Sequence, residues 1–383
     1  MKPKVLIFNG YYFPAKRYGG PATSVYNLIE NCSDKLEFYL IVLNHDFGSE
    51  VVFAGISDGW NQQGSAQVMY VKDSDFTDGN ICHWIKEIEP DVIYLSGILA
   101  LRNFKYLMAA RKLGIPVIIP PRGEICDNAL KIKAYKKRPY VFLLRLFRVY
   151  HHVYFHTTSD IETEGLIKHL KIRQSQIFQI PNITRPIRSY AQGIHEKKQG
   201  KLNAVFLARI CKTKNLYEAL LAFKNVVGVV KFDIYGSIED KDYWNQCQTL
   251  ITELSQNVHV NYCGVVGPTE VCDIFATHDC FVFPTQTENF GHSIAEALCS
   301  GCPCIIPKGT TPWDDLNGRA GETYSLGDVD ALSNIIQRYI NMTDEEYNLI
   351  SKQVIDYVTE KSKNREIAEQ YIQMFSEVGN KNG

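Results

Sequence analysis

Phe281-Val282-Phe283-Pro284-Thr285-Gln286-Thr287-Glu288-Asn289-Phe290-Gly291-His292-Ser293-Ile294-Ala295-Glu296-Ala297-Leu298-Cys299-Ser300-Gly301 holds a strand, a loop and a helix within twenty-one residues. The apolar run 279–283 predicts a strand that empties into a short polar loop. Gly291 opens a turn, and the apolar spacing beyond it predicts a helix to Gly301. Free backbone N–H groups and the positive end of the helix dipole then form an anion site. Glu288 lies in the loop before that site. Glu296 lies one turn inside the helix, on the face shared with His292 and Ser293. A phosphate site with hydroxyl-binding carboxylates on both sides suits a sugar attached to a nucleoside diphosphate.

Outward from this segment the same alternation of short apolar runs and amphipathic stretches continues, which argues for an α/β protein with mainly parallel sheets. Expected strands in the first half are 5–9, 38–43, 68–71, 92–95, 117–119, 153–156 and 177–180. Helices are expected at 21–31, 80–88, 103–113 and 159–169, the last marked by the capping box Ser159-Asp160-Ile161-Glu162. A polar stretch at 189–201, with Gly193 and Gly200, reads as a linker. The pattern restarts with strands at 205–208, 231–235, 258–262, 280–283 and 304–306 and helices at 215–225, 241–254, 268–277 and 292–299. Two Rossmann-like domains follow, 1–190 and 200–358, with a strongly helical tail at 344–378. Open α/β sheets bind ligands at the carboxyl ends of their strands, so two facing sheets would enclose a cleft between them.

With 383 residues, 45% of them hydrophobic, the chain exceeds the size of a single core. A net charge of −1 gives no reason to expect a nucleic-acid partner. Residues 101–150 nevertheless carry twelve Lys or Arg against two acids, Glu124 and Asp127. Met1-Lys2-Pro3-Lys4 leads straight into a strand instead of an export signal, and no run reaches the roughly 18 apolar residues of a spanning helix. A cytoplasmic protein, peripheral at the inner face of the membrane, is expected. Eleven cysteines then point to reduced thiols. Cys299, Cys302 and Cys304 read either as a redox or metal cluster or as small core residues at a helix end. No second Cys or His pair at zinc-like spacing completes a ligand set.

Several further motifs carry chemistry. Arg209-Ile210-Cys211-Lys212-Thr213-Lys214-Asn215 follows a strand and precedes a helix. Arg209 and Lys214 there are placed to hold a diphosphate and to stabilise it as it leaves. A solvated basic turn is the alternative. Tyr18-Gly19-Gly20-Pro21 allows close backbone approach to a ligand at a helix start, or is an ordinary strand-to-helix turn. The segment 131–148 mixes seven cations with aromatics and leucines and no acid. It suits an anionic membrane surface, an anionic acceptor, or a core helix with a basic outer face. Thr310-Thr311-Pro312-Trp313 could place an indole against a sugar in the cleft, or hold a packed loop.

In this order the motifs resemble the large group 1 family of retaining glycosyltransferases (family four in the usual classification), whose fold is GT-B. The resemblance rests on Phe206-Leu207-Ala208-Arg209 with Lys214-Asn215, Tyr235-Gly236-Ser237, Tyr262-Cys263-Gly264-Val265-Val266, Pro284, Glu288-Asn289-Phe290-Gly291, and Glu296-Ala297-Leu298 with Gly301-Cys302-Pro303. It spans nearly the whole chain and is strongest over 203–330. It implies that Arg209 and Lys214 hold the donor diphosphate, that Glu288 contacts the donor sugar, and that Glu296 takes the ribose hydroxyls. The N–H groups of Phe290, Gly291 and His292 would meet sugar and phosphate, with Asn289 beside them in the donor site. Gly236 belongs to the same donor site, Val265 lies near the base, and Gly20 approaches the diphosphate from the first domain. A terminal helix at about 360–380 would cross back to that domain. Many members carry a histidine after the strand at 116–119. Here Pro120-Pro121-Arg122-Gly123-Glu124 stands instead, as in a branch of bacterial polysaccharide-type transferases that shares the Thr-Pro-Trp segment. Arg122 or Glu124 would occupy that part of the cleft.

The expected activity is retaining transfer of a hexose or N-acetylhexosamine from a nucleoside-diphosphate sugar, with uridine as base, to a hydroxyl of a glycan acceptor. A lipid-linked acceptor in polysaccharide biosynthesis fits the basic segment. No Asp-x-Asp motif stands beside the donor site, so no metal and no cofactor are expected. The alternatives are a non-catalytic nucleotide- or sugar-binding protein and a glycoside hydrolase using Glu288 and Glu296 as its carboxylate pair.

Overall fold

The computed structural model describes residues 2–17, 19–131, 134–185, 196–267 and 269–380. Tyr18, Ile132, Lys133 and the expected linker up to residue 195 lie outside the described residues. The chain divides into two compact units, residues 1–183 with 364–383, and residues 184–363.

The first unit runs β1 (Lys4–Phe8), α1 (Gly20–Cys32), β2 (Glu37–Leu43), β3 (Trp60–Gln63), β4 (Ala66–Val71), α2 (Asp78–Ile88), β5 (Val92–Leu95), α3 (Asn103–Leu113), β6 (Val117–Ile119), α4 (Asp127–Lys131), α5 (Ala134–Leu146), β7 (Tyr154–Thr157), α6 (Asp160–Gly165) and β8 (Ile177–Gln179). Its strand order is β3-β4-β2-β1-β5-β6-β7-β8, parallel throughout except for β3 on β4. The central strands are buried on both faces, which is why β1, β5 and β6 read as continuous apolar runs without alternation. The polar edge strand β3, Trp60-Asn61-Gln62-Gln63, has neither signal and was not expected from the sequence.

The second unit runs β9 (Lys201–Leu207), α7 (Leu216–Ala222), β10 (Val229–Tyr235), α8 (Lys241–Thr252), β11 (Val258–Gly264), α9 (Val271–Ala276), β12 (Cys280–Val282), α10 (His292–Cys299), β13 (Cys304–Pro307), β14 (Gly321–Tyr324), α11 (Val329–Asn341) and α12 (Asp344–Lys361). Its parallel strand order is β11-β10-β9-β12-β13-β14. Phe206, Phe275, Phe281 and Phe283 form an aromatic centre, with Phe281 stacked on Phe283 at 5.0 Å between ring centroids. Cys299, Cys302 and Cys304 are buried here as free thiols, and burial pushes the Cys299 thiol up to about 12. Among the described residues no group of three or more His, Cys, Asp or Glu side chains could hold a metal ion.

The helical tail is two helices. Thr343 and Glu346 cap α12 reciprocally, the chain breaks at Ser362-Lys363, and α13 (Asn364–Asn380) joins the first unit. There Phe375 meets Tyr94 at 5.5 Å, and Tyr371 reaches His156. The expected helix 159–169 is α6 followed by a π-helical turn at Leu166–Leu170. Ser159 accepts from the Glu162 N–H, but the buried Glu162 carboxylate turns to the Thr158 N–H (2.7 Å), the Thr158 hydroxyl (2.9 Å) and the Gly123 N–H (2.5 Å).

His156 is fully buried between these elements. Its Nδ1 meets the Tyr94 hydroxyl at 2.9 Å, and its Nε2 meets the Ile180 carbonyl at 2.9 Å and the Tyr371 hydroxyl at 3.1 Å. Burial pushes its pKa down to about 3, opposed by the bond to Ile180 and aided by the field of Arg122. In the unfolded chain the same ring titrates near about 6.5. Between those values only the unfolded state takes up the proton, so stability falls as the pH drops below about 6.5. Urea unfolding at pH 7.5 to 4.5 is expected to show this loss, up to about 1.4 kcal/mol per pH unit, and His156→Gln is expected to flatten it.

Candidate functional site

In the second sheet the chain proceeds from β9 outward through β10 to β11, then returns to β12 beside β9 and proceeds the other way to β13 and β14. The loops leaving β9 and β12 therefore diverge above two adjacent strands and leave a crevice at their carboxyl ends. Those loops are 208–215 and 283–291, the two segments singled out by their sequence. They are tied to each other: the Thr213 carbonyl accepts from the Gln286 N–H at 2.9 Å and from the buried Thr285 hydroxyl at 3.4 Å. Gly236, at the end of β10, completes the frame. A Cβ there would stand 1.8 Å from the Ala208 carbonyl oxygen, and the backbone φ is 143°. Only glycine lets β10 pass so close to the segment that carries Arg209.

Three cations of this crevice are each paired with a carboxylate. Lys214 and Glu288 form an ion pair, both largely covered, and Lys214 also lies 5.8 Å from the Phe283 ring centre. Arg209 meets Glu239 at 2.5 Å with both side chains about half exposed. A pair that open to water is worth about 0–1 kcal/mol, so a more highly charged ligand can recruit Arg209 at little cost. Glu296 is buried and its Oε1 stands 3.0 Å from Nε of Arg185. Burial raises the Glu296 pKa while the Arg185 guanidinium works against the rise.

Between Glu288 and Glu296, Gly291 takes a left-handed φ of 78° and α10 starts at His292. Asn289 is exposed, Phe290 and His292 are half-buried, and the two rings lie 4.9 Å apart. Val265 is half-buried in the loop after β11. The segment 309–313 backs the helix-start loop: the Thr310 carbonyl accepts from the Glu288 N–H at 2.8 Å, and Trp313 Nε1 donates to the Phe290 carbonyl at 2.5 Å. Trp313 is only 3% exposed, with Lys361 over its ring. The indole is therefore a prop beneath the loop and not a platform for a sugar.

In the first unit, α1 begins at Gly20 behind a left-handed Gly19, with Pro21 in its first turn. Arg122 has a left-handed φ of 53°, reaches Asn182 at 3.5 Å, and keeps Nε buried without a hydrogen-bond partner among the described residues. Glu124 does not point a free carboxylate at a ligand. Its Oε2 accepts from the N–H groups of Ile98 (2.6 Å) and Leu99 (2.9 Å), so it clamps the loop after β5. Tyr11, His45 and Phe47 form an aromatic cluster at the same strand edge.

Residues 190–354 match the sequence profile of the family Glycosyl transferases group 1. The second unit is a group 1 glycosyltransferase domain. The capsular polysaccharide biosynthesis glycosyltransferase CapM of Staphylococcus aureus is 27% identical over 188 residues, 48% of each chain. The GtfA subunit of a UDP-N-acetylglucosamine–peptide N-acetylglucosaminyltransferase of Streptococcus agalactiae is 25% identical over 43% of this chain. The chain thus spans about half of the first relative and 33% of the second. Among solved structures, Anabaena Alr3699/HepE in complex with UDP and glucose has a TM-score of 0.70 at 14% identity, covering 98% of this chain and 100% of that one. Sucrose-phosphate synthase from Thermosynechococcus elongatus gives 0.70 at 13% identity, with 98% and 99% covered. These likenesses establish the fold of both units as GT-B.

Within the glycosyltransferase domain, the crevice gathers Arg209, Lys214, Gly236, Glu288, Asn289, Phe290, Gly291 and His292 around one switch point, with Glu296 a turn below. Glu239, Thr285 and Arg185 are further parts of it that carry no motif. Arg185 lies before the expected linker, yet residues from Thr184 onward belong to the second unit. Replacing Arg185 by Leu leaves Glu296 buried without its cation, at an expected cost of about 3–5 kcal/mol. An acid whose folded pKa is raised loses stability as the pH rises, so the deficit should be larger at pH 8 than at pH 5.5 in urea unfolding.

Proposed function

We propose that this protein is a retaining glycosyltransferase that moves a hexose or N-acetylhexosamine from a UDP-sugar to a hydroxyl of a glycan acceptor. The observation that carries this reading is the set Arg209, Lys214 and Glu288 around the start of α10, at the switch point of the second sheet. UDP in the Anabaena neighbour supports the choice of base, and the capsular relative supports polysaccharide biosynthesis as the setting.

The donor diphosphate would lie at the amino terminus of α10, where backbone N–H groups and the helix dipole favour anions. Lys214 is already held there by Glu288, so its charge needs no reorganisation when the reaction begins. The bond between the anomeric carbon and the diphosphate oxygen breaks, negative charge grows on that oxygen, and Lys214 and Arg209 stabilise it. Glu288 shares one carboxylate oxygen with Lys214 and offers the other to a sugar hydroxyl. Glu296, with Oε1 against Arg185, has Oε2 for the ribose hydroxyls. The acceptor oxygen attacks the anomeric carbon from the face the diphosphate leaves, and its proton passes to the departing phosphate. Two cations and a helix start supply the charge stabilisation that a metal ion would, so we propose a metal-independent reaction.

The acceptor we propose is lipid-linked. The helix α5 buries Val141 and Leu144 and exposes Tyr135, Phe142 and Leu146 beside Lys136, Arg138 and Arg145. That combination suits peripheral contact with an anionic membrane at its cytoplasmic face. Among the described residues no helix is long and apolar enough to cross a membrane.

A thermal-shift screen of nucleoside-diphosphate sugars is expected to show stabilisation by a UDP-hexose or UDP-N-acetylhexosamine, about 2.7 kcal/mol at a hundredfold excess over Kd. Lys214→Ala is expected to lower kcat by about 10²–10³-fold, the usual loss for one electrostatic donor. Transfer by Lys214→Ala at the wild-type rate, or indifference to every such donor, would overturn the proposal. Transfer is also expected to survive EDTA; activity restored only by Mg²⁺ or Mn²⁺ would refute metal independence.

A further inference from the structure

The first unit has a second concave feature, at the sheet edge opposite the one that carries Gly20, Arg122 and Glu124. A groove of about 900 Å³ opens at the amino-terminal ends of β6 and β7, between α3 and the turn that ends α5. Open α/β sheets hold their substrates at the other edge, so this groove is not part of the site described above. Its cations are Arg111, Arg148 and Arg173, beside His151 and His152, and among the described residues no Asp or Glu lines it.

The basic lip is built deliberately by the backbone. Arg148 adopts a left-handed φ of 48°, and its carbonyl accepts from the His151 N–H at 3.1 Å, closing a tight turn after α5. Gln176 fastens that turn by donating to the carbonyls of His151 (3.0 Å) and Val153 (2.9 Å). Desolvation by the neighbouring groove wall, then the charges of Arg173, His152 and Arg148, hold the exposed His151 below its ordinary pKa. The other lip is apolar: Phe104, Met108 and Phe147 are between 48% and 73% exposed. Phe147 continues onto the exposed apolar face of α5.

Concentrated like charge without a lining acid, next to large apolar side chains left in water, is unfavourable on both counts until something covers it. A soluble anion would satisfy only the arginines, and an apolar peptide only the aromatic lip. A phospholipid satisfies both, because guanidinium forks match phosphate oxygens and the apolar side chains reach the acyl region. We infer that this groove seats the phosphate of an anionic phospholipid, with its acyl chains against Phe104, Met108 and Phe147. The inference rests on the membrane contact proposed for α5 only in requiring a bilayer within reach. It adds a defined lipid site to that diffuse contact.

The test is flotation of the full chain with vesicles of phosphatidylglycerol and phosphatidylcholine, compared with phosphatidylcholine alone. Binding to the anionic vesicles is expected. Arg111→Gln with Arg173→Gln should lower it by roughly fivefold per cation, and Arg138→Gln with Arg145→Gln on α5 should lower it less. Phe147→Ser, at an exposed position, should also weaken binding without lowering the melting temperature. Dihexanoyl phosphatidylglycerol should raise the melting temperature of the parent chain and not of the Arg111/Arg173 variant. No binding to anionic vesicles would overturn both the groove and the α5 contact. Loss confined to the α5 variant would overturn the groove alone. Equal stabilisation by inorganic phosphate would make it a soluble-anion site and overturn the lipid assignment. In each case UDP-sugar binding is read separately, so failure here and failure of the transferase reading are distinguishable.

Discussion

The reversal of strand order at β9 and β12 is the constraint on which the candidate site depends. Parallel strands joined by right-handed crossovers can be extended from the centre in two directions, and only where the directions part do neighbouring loops separate. That geometry opens a crevice without sacrificing any hydrogen bond of the sheet. It also places the start of α10 beside the loop that carries Arg209 and Lys214. The Thr213 carbonyl, bonded to the Gln286 N–H, then fixes the distance between them. Gly236 is forced by the same packing, because β10 must pass the Ala208 carbonyl with no room for a side chain.

Three ion pairs in that crevice differ in burial, and burial decides what each can do. Arg209 and Glu239 are half in water, so their attachment is weak and easily broken. Lys214 and Glu288 are more enclosed, which holds the lysine in place before a ligand arrives. Arg185 and Glu296 are buried, where separating the charges would cost several kcal/mol, so this pair is architecture first. A cation series graded in this way lets one ligand displace some partners while the frame stays intact.

The first unit solves a different problem with one buried and one half-buried carboxylate. Glu124 and Glu162 collect backbone N–H groups from the loops after β5, β6 and β7, giving irregular chain the hydrogen bonds that regular structure would have supplied. The return of α13 to this unit matters for the same reason. Its Tyr371 meets the ring of His156, and its Phe375 closes the core against Tyr94.

Most of this fold was legible in the chain because parallel strands buried on both faces must be apolar runs, and helices between them must be amphipathic. β5, β6, α3 and α10 fall where those patterns put them, while β3 and β14, four-residue edge strands of mostly polar sequence, left no pattern. The helix start at Gly291 with Glu288 before it was equally legible, since a glycine turn and the helix start behind it are local properties. Partners distant in sequence were not. Whether Trp313 lies beneath a loop or flat against a sugar, and whether Glu124 faces a ligand or clamps Ile98 and Leu99, depends on which surfaces meet when the layers pack. The sequence determined most of the elements, their order and the glycine-led start of α10. Tertiary structure alone decided which charges pair and how deeply, because burial and distance belong to no single segment.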